Sequence, residues 1–269
     1  MDITVEPERE QRPVLVTGGT GTLGRLVVPR LRNAGRTVRV LTRQHRDAED
    51  GVAFVRGDLT TGEGVDAAVD GVDVIVHCAG TSSGDAEKTQ TLVTAAERAG
   101  ARHLVFISVV GTDRVPVVSR VDRAMFGYFA SKRGAEEVVS GSRVPWTTLR
   151  ATQFHDLMFT TAEQMAKLPV IPVPSVRVQP VDTAEVADRL VELALGAPAG
   201  LAPDIAGPRV YEMRELVRGY LKARGKHRAI VPVRPPGRAG RAFRAGANLA
   251  PEHAVGRRTW EDFLAARVA

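Results

Sequence analysis

A tyrosine and a lysine four positions apart, Tyr128 and Lys132, fall in a stretch with a helical pattern. Residues at i and i+4 share one helix face, so the phenol and the ammonium group can reach the same ligand. A tyrosine exchanges protons poorly at neutral pH unless a neighbouring cation stabilises its phenolate. Ser108 ends an apolar run twenty residues earlier, and its hydroxyl can orient a substrate oxygen. These three side chains predict a catalytic group that protonates a carbonyl oxygen during hydride transfer, with Lys132 lowering the pKa of Tyr128.

A glycine-rich segment, TGGTGTLG, follows the first apolar run of the chain, PVLVT at 13–17, and precedes a helix-like stretch. Glycine permits the tight turn and the close approach of the backbone to a pyrophosphate, and the third glycine lets helix and strand pack closely. The N–H groups and the dipole of the helix start favour phosphate. The segment predicts a dinucleotide site with contacts from Gly18, Thr20, Gly21, Thr22 and Leu23.

The end of the second predicted strand indicates which dinucleotide binds. NAD enzymes usually place a carboxylate there, bonded to the ribose 2′-hydroxyl. This chain has Thr42 and Arg43, and its next acid is Asp47. An arginine attracts a 2′-phosphate, which a carboxylate would repel. The sequence therefore predicts NADP as the cofactor, with Arg43 on the 2′-phosphate.

Two further segments at strand ends fit the same site. Gly-Asp-Leu at 57–59 offers a carboxylate to the adenine amino group, and Cys-Ala-Gly at 78–80 offers small residues against which a ribose can lie. The cysteine is interpreted as a small filler because no neighbouring motif lowers its pKa. Lys132 is expected to bond the nicotinamide ribose. The added cofactor contacts are Asp58, Leu59, Cys78, Ala79, Gly80 and Lys132.

Three residues directly after the last predicted strand of the main sheet are candidates for substrate contact. They are Gln153, Phe154 and His155, and packing in the core is the alternative. The histidines at 77, 103 and 155 do not have the spacing of metal ligands, so no metal site is predicted.

Short β-branched runs alternate with helix-length amphipathic stretches from residue 13 to residue 150. Strands buried on both faces and separated by helices form a doubly wound parallel sheet, so the sequence predicts an α/β, Rossmann-like fold. The predicted strands cover 13–17, 37–42, 52–55, 72–77, 103–108 and 146–150, and the predicted helices cover 22–35, 63–70, 83–100 and 119–140.

The pattern loosens after residue 150, and a small C-terminal α/β cap on the main sheet is expected. Residues 168–181 are broken by prolines and predict short edge strands. A helix over 181–195 begins with Asp182 and Glu185 at the spacing of a capping box. The rest predicts a short strand near 202–206, helices near 212–224 and 238–247, and a last helix opened by Thr259. Residues 13–269 then form a single domain, with substrate-side elements from about 151 onward, after a disordered tail at 1–12.

Composition narrows the class of protein. The 269 residues carry a net charge of +6, and from residue 201 onward 14 Lys and Arg stand against 6 Asp and Glu. Such a basic region can attract anions, but no zinc-finger spacing or RNA-binding signature accompanies it, so no nucleic-acid partner is predicted. No apolar run is long enough for a membrane span. The single cysteine fits the cytoplasm, and a small-molecule partner is expected, with an oligomer left open.

The chain resembles the short-chain dehydrogenase/reductase superfamily, and within it the atypical NmrA-like NAD(P)-binding branch. The motifs are TGGTGTLGR, the GDL after the third strand, VFISVVGTDRVP, YFASKRGAEE and VPWTTLRATQF. The resemblance implies NADP(H) binding and reductase chemistry, with Ser108, Tyr128 and Lys132 matching the superfamily's serine, tyrosine and lysine. Residues 77–80 depart from the Asn-Asn-Ala-Gly type of segment, which puts an asparagine-assisted proton relay in doubt.

The prediction is an NADPH-dependent oxidoreductase that reduces a small carbonyl, quinone or enone. Some NmrA-like relatives have lost the tyrosine and act as redox sensors, so a non-catalytic NADP(H)-sensing regulator is the alternative. A nucleotide-sugar epimerase is disfavoured because the C-terminal portion is short for a sugar-nucleotide lobe.

Overall fold

The computed structural model describes residues 12–49, 51–80 and 84–268. Its centre is a parallel seven-stranded sheet in the order β3-β2-β1-β4-β5-β6-β9. The strands are β1 (Val14–Thr17), β2 (Val38–Thr42), β3 (Val52–Arg56), β4 (Val74–His77), β5 (His103–Val109), β6 (Trp146–Ala151) and β9 (Gly200–Leu201). Every residue of β1 and β5 is buried, which explains why these runs are mainly apolar and do not alternate. The predicted doubly wound sheet is confirmed.

Helices cover both faces of the sheet. They are α1 (Gly24–Asn33), α2 (Val65–Val69), α3 (Asp85–Ala99), α4 (Arg120–Ser140), α5 (His155–Met165) and α6 (Thr183–Leu195). One apolar core joins the sheet to α1 and α6, and a second joins it to α2, α3 and α4. This arrangement brings the carboxyl ends of all parallel strands to one edge, where ligands of such folds bind.

A C-terminal cap holds a third core. It contains α7 (Met213–Ala223), α8 (Gly237–Arg244) and α9 (Trp260–Val268), with strands β7 (Val170–Pro174), β8 (Arg177–Val178), β10 (Tyr211–Glu212) and β11 (Ala229–Val233). β7 and β11 form a parallel pair, and β8 and β10 form an antiparallel pair. The cap is therefore α/β, as predicted, but β10 and β11 were not foreseen.

Local details differ from the predictions at three places: the start of α6, the tail at Arg12, and the strand predicted near 202–206, which is β9 at Gly200–Leu201. Asp182 caps α6 by accepting from the backbone N–H of Ala184 at 2.7 Å, but Glu185 does not complete a capping box. Its carboxylate accepts from the N–H of Arg257 at 2.8 Å instead, because the chain before α9 returns to this helix end. Arg12, assigned to the tail, forms an ion pair with Asp73 at 3.0 Å. Residues 1–11 of the predicted tail, and residue 83 at the predicted start of α3, lie outside the described residues.

No helix in the described ranges is both long and apolar enough to cross a membrane.

Candidate active site at the carboxyl edge of the sheet

The glycine-rich loop forms a tight turn between β1 and α1. Gly18 has φ +69°, and a Cβ on it would lie 2.6 Å from the backbone nitrogen of Ala79, so only glycine fits there. The N–H of Gly21 donates to the carbonyl of Gly18 at 2.9 Å, and a Cβ on Gly24 would collide with the same carbonyl. The loop therefore holds its backbone at the position where the sequence predicts a pyrophosphate.

A cleft of about 630 Å³ opens beside this loop, above the ends of β1, β2, β3 and β4. Nine of the predicted cofactor residues line it: Gly18, Thr20, Gly21, Arg43, Asp58, Leu59, Cys78, Ala79 and Gly80. Thr22 is exposed in the same turn, whereas the side chain of Leu23 is buried in the core against α1. A contact from Leu23 would therefore come from its backbone. Their roles as cofactor ligands stay predictions.

Charges in the cleft favour an anionic ligand at its outer end. Arg43 is exposed on the wall, and Lys88 of α3, which the sequence analysis missed, also lines the cleft. The pKa of Asp58 is lowered, first by the hydrogen bond from the N–H of Thr60 and further by the charges of Arg43 and Lys88. Asp58 is thus an acceptor at neutral pH, as contact with an amino group requires.

Cys78 is a wall residue and not a nucleophile. Burial raises the pKa of its thiol to about 12, so the sulfur is protonated at neutral pH. This agrees with its interpretation as a small filler.

Ser108, Tyr128 and Lys132 come together around the end of β5. Ser108 shares a face of β5 with Phe106, and Lys132 Nζ lies 4.9 Å from the centre of the Phe106 ring. The same Nζ donates to the carbonyl of Ile107 at 3.3 Å and lies 6.0 Å from the Tyr128 ring centre. The Ser108 hydroxyl is buried and has no hydrogen-bond partner among the residues that the structure describes. Such an orphaned group fits a site that receives a substrate oxygen.

Lys132 lies directly beneath the cleft. A Cβ on Gly80, a residue of the cleft wall, would lie 2.9 Å from Lys132 Nζ, so glycine is needed for the ammonium group to reach this wall. The carboxylate of Asp85, at the start of α3, is 3.3 Å from Nζ, and both side chains are nearly inaccessible. The sequence analysis did not identify Asp85. The only sequence signal is an acid in the first turn of a helix that follows a strand end.

The phenol of Tyr128 is protonated at neutral pH in this arrangement. Partial burial of the phenol, together with the carboxylate of Asp85, raises its pKa to about 12. The sequence predicted that Lys132 lowers this pKa, but the net shift is upward, and the charge of Lys132 is itself paired with Asp85 at 3.3 Å. Since 40% of the Tyr128 residue is accessible, the phenol can exchange its proton with water.

The C-terminal cap fixes the helix that carries the phenol. Phe126 has a non-helical φ of −129°, which kinks α4 two residues before Tyr128. Phe243 of α8 packs against Phe126 and Phe129, with ring centres 4.9 and 5.1 Å apart. The N–H of Ala239 donates to Asp122 of α4 at 3.1 Å. The position of the phenol therefore depends on residues more than 100 positions later in the chain.

The three residues predicted to contact the substrate differ in how deeply they are buried. Gln153 and Phe154 are half-buried, and Gln153 donates to the carbonyl of Asn248 at 3.4 Å. The ring of His155 is completely buried, with the Phe263 and Trp260 rings 5.1 and 6.0 Å away. We retain Gln153 and Phe154 as proposed substrate contacts and not His155, because its ring offers no surface to a ligand.

His77 links the first and fourth strands under the cleft. Its Nδ1 is 2.6 Å from the hydroxyl of Thr17, and its Nε2 is 3.2 Å from that of Thr89. Burial, and then the charge of Lys132, lowers its pKa to about 3. Among the described residues no group of three or more potential ligands could hold a metal ion.

The neutral state of His77 predicts acid sensitivity. An unfolded chain protonates this histidine below pH about 6.5, whereas the folded chain does so only near pH 3. The stabilisation is complete above the unfolded pKa and is lost as the pH falls toward 3, at up to about 1.4 kcal/mol per pH unit. Denaturation of the protein and of His77→Gln across this window is expected to show a shallower slope for the variant. An equal pH dependence of stability in the wild type and in His77→Gln would contradict the assignment of a neutral, buried His77.

A model of the NAD(P)H-binding family matches residues 18–195, which include the glycine loop and every residue of the proposed catalytic group. The chain belongs to this NAD(P)H-binding family, within the atypical short-chain dehydrogenases/reductases. The resemblance inferred from the motifs is thereby confirmed, as is the NAD(P)-binding, Rossmann-type oxidoreductase class. The family does not by itself distinguish NAD from NADP.

Several known proteins are similar to this chain. A (4-alkanoyl-5-oxo-2,5-dihydrofuran-3-yl)methyl phosphate reductase of Streptomyces griseus is 30% identical over 75% of this chain and 70% of its own length. The photosystem II assembly factor Ycf39 of Trieres chinensis is 27% identical over 53% of this chain and 46% of its own length. The NADPH complex of the Escherichia coli quinone oxidoreductase QOR2 has the same fold, with a TM-score of 0.77, 15% identity, and coverage of 95% of this chain and 100% of that one.

Proposed function

We propose that this protein is an NADPH-dependent reductase of a small carbonyl compound in which the carbonyl is conjugated, as in an enone or a quinone. The observation that supports it best is that Lys132, one helical turn from Tyr128, reaches the wall of the dinucleotide cleft at Gly80. This contact would bring the proposed proton donor, Tyr128, near the cleft. Within a reductase-like NAD(P)H-binding family, this supports turnover.

NADPH is preferred over NADH in this proposal because of the charges at the outer end of the cleft. Arg43 and Lys88 line the wall there, and the end of β2 has no carboxylate. A 2′-phosphate would gain charge-assisted hydrogen bonds from Arg43. The glycine loop would hold the pyrophosphate, and Asp58 would accept from the adenine amino group.

The residues of the chain would supply the proton and hold the substrate. NADPH, when bound, supplies the hydride. Ser108 would donate to the substrate oxygen as negative charge develops there, which its unpartnered hydroxyl allows. Tyr128 would transfer its phenolic proton to that oxygen and recover a proton from water. Lys132 would stabilise the transient phenolate through its positive charge.

The conjugated carbonyl is favoured by what the relatives act on. The printed name of the Streptomyces griseus reductase describes an unsaturated furanone, and QOR2 is a quinone oxidoreductase. In both, the carbonyl is conjugated with a carbon–carbon double bond. The half-buried Gln153 and Phe154 would contact the substrate, as an amide donor and an apolar surface.

The direct test follows the loss of NADPH absorbance with a panel of simple quinones, cyclic enones and saturated ketones. We expect oxidation of NADPH by quinones or enones, faster than by the matched saturated ketones, and much slower oxidation of NADH. NADPH binding without oxidation by any member of the panel would contradict the proposed reductase.

That contrary outcome would favour the second candidate, a non-catalytic NADP(H)-sensing regulator. Its support is an open groove of about 900 Å³ in the cap, lined by four of the Lys and Arg residues of the C-terminal third. The lining contains no carboxylate, and its basic residues are Lys167, Arg218, Lys222, Lys226, His227 and Arg228. An assembly factor, Ycf39, is among the relatives. The cytoplasmic location, the small-molecule partner and the oligomeric state stay predictions.

A further inference from the structure

Asp85 is a buried carboxylate at the first position of α3. It is 3% exposed, and its backbone N–H donates to the hydroxyl of Ser131 on α4 at 3.1 Å. The start of α3 is thus fastened to the helix turn that holds Lys132. Glu87, in the same first turn, is exposed. Of these two acids only Asp85 points into the protein.

Three groups among the described residues lie against Lys132 Nζ beside the Gly80 wall, in a nearly dry environment. They are the Asp85 carboxylate at 3.3 Å, the carbonyl of Ile107 at 3.3 Å and the face of Phe106 at 4.9 Å. An ammonium group buried among apolar atoms and one carbonyl would lose its proton, because burial disfavours the charged form. The carboxylate of Asp85 opposes that loss.

We propose that Asp85 is a positioning residue of the active site: its carboxylate keeps the Lys132 ammonium group charged and fixed beneath the Gly80 wall of the cleft. This inference rests on the proposed function, since it explains how Lys132 keeps the charge that its role requires. Asp85 itself is not proposed to contact the substrate.

The other titratable groups around Lys132 do not replace Asp85. His77 and Cys78, at the end of β4, are neutral at pH 7, with pKa values of about 3 and about 12. Glu136, one turn along α4, is already bound to Arg150 through contacts of 2.7 and 2.9 Å. The hydroxyl of Tyr128 is protonated. In the part of the chain that the structure describes, Asp85 is the carboxylate that forms an ion pair with Lys132.

The chemistry predicts a specific change in Asp85→Asn. Burial lowers the pKa of Lys132, and Asp85 is the largest opposing influence. Asp85 also raises the pKa of Tyr128. Removing the carboxylate lowers both pKa values, so kcat should fall at a pH about one unit lower on its alkaline side. The phenol, followed in the cofactor-free protein by NMR of ¹³Cζ-labelled tyrosine and assigned with Tyr128→Phe, should ionise at lower pH.

Two controls make the test specific to this position. Glu87→Gln removes an acid from the same helix turn, at a position that does not pair with Lys132. It should change neither the pH profile of kcat nor the NMR titration of the phenol. Asp85→Glu retains the charge and should keep the alkaline limb near its wild-type pH, even where kcat is reduced. A structural role alone would lower kcat in Asp85→Asn without moving the pH profile or the phenol resonance, and this result would overturn the proposal.

A stability measurement covers the case in which Asp85→Asn folds poorly. In chemical denaturation, Lys132→Met combined with Asp85→Asn should restore part of the midpoint lost in Asp85→Asn, because no buried ammonium is then left without its carboxylate. Strictly additive losses would overturn the pairing. The NMR reading needs no substrate, so a protein without turnover contradicts the proposed function and leaves the role of Asp85 to be judged separately.

Discussion

Replacing Tyr128 with phenylalanine is expected to lower kcat with a responsive quinone or enone by about two to four orders of magnitude. The substitution removes only the hydroxyl that would give its proton to the substrate oxygen. The raised pKa of about 12 keeps this hydroxyl protonated over the physiological pH range. Its removal should therefore lower kcat throughout that range. The measurement is steady-state NADPH oxidation, with NADPH affinity determined in parallel by fluorescence titration.

A matched control exists in the cap. Tyr220 is fully buried and packs against Phe159 with ring centres 5.2 Å apart, so Tyr220→Phe makes the same chemical change away from the catalytic group. It should leave kcat within about twofold of wild type. If Tyr128→Phe retains wild-type kcat while binding NADPH normally, the phenol is not the proton donor.

The second large effect is expected for Arg43→Glu. The substitution places a carboxylate at the end of β2, where NAD enzymes hold the ribose 2′-hydroxyl and where a 2′-phosphate would be repelled. Losing two charge-assisted hydrogen bonds and gaining repulsion should weaken NADPH binding by about 100-fold or more. NADH binding should change little or improve. Both dissociation constants are accessible by calorimetry.

Arg46 provides the comparison for this change. It lies three residues further on and stacks over Phe54 at 5.9 Å, and it is not part of the cleft lining. Arg46→Glu alters the net charge equally and should weaken NADPH binding only slightly. Equal losses in the two variants would mean that Arg43 acts through the general field of the protein, without holding the 2′-phosphate.

The parts of the fold that the sequence predicted well are those governed by local rules. The first six strands of the main sheet and each helix up to α4 were placed within about two residues, because apolar periodicity and glycine stops are local signals. The seventh strand, Gly200–Leu201, had been predicted near 202–206. Gly100, predicted to end α3, does so with φ +68°. The glycine loop was predicted together with its position between strand and helix, since tight turns constrain residue type directly.

The missing parts depend on contacts between distant segments. Asp85 forms an ion pair with Lys132, 47 positions away in the sequence. The residues around each of them give no local signal for this pairing. Phe243 reads as an ordinary apolar residue of a short helix, yet it clamps the kinked turn beside Tyr128. Because side-chain charge balance and packing are settled only when helices meet, the predicted influence of Lys132 on the phenol could not be tested from spacing alone.

The packing of α8 against α4 means that the nucleotide cleft and the position of the phenol depend on different parts of the chain. The cleft proposed to hold the nucleotide is lined by residues between Thr17 and Lys88, whereas the helix that carries the phenol packs against a helix at 237–244. Sequence drift in the cap can therefore retune which compounds are turned over while the nucleotide pocket stays intact. A chain that ends before Phe243 would keep the nucleotide cleft but would lose the contact that positions the Tyr128 phenol. Such a loss offers a route by which a reductase becomes a sensor.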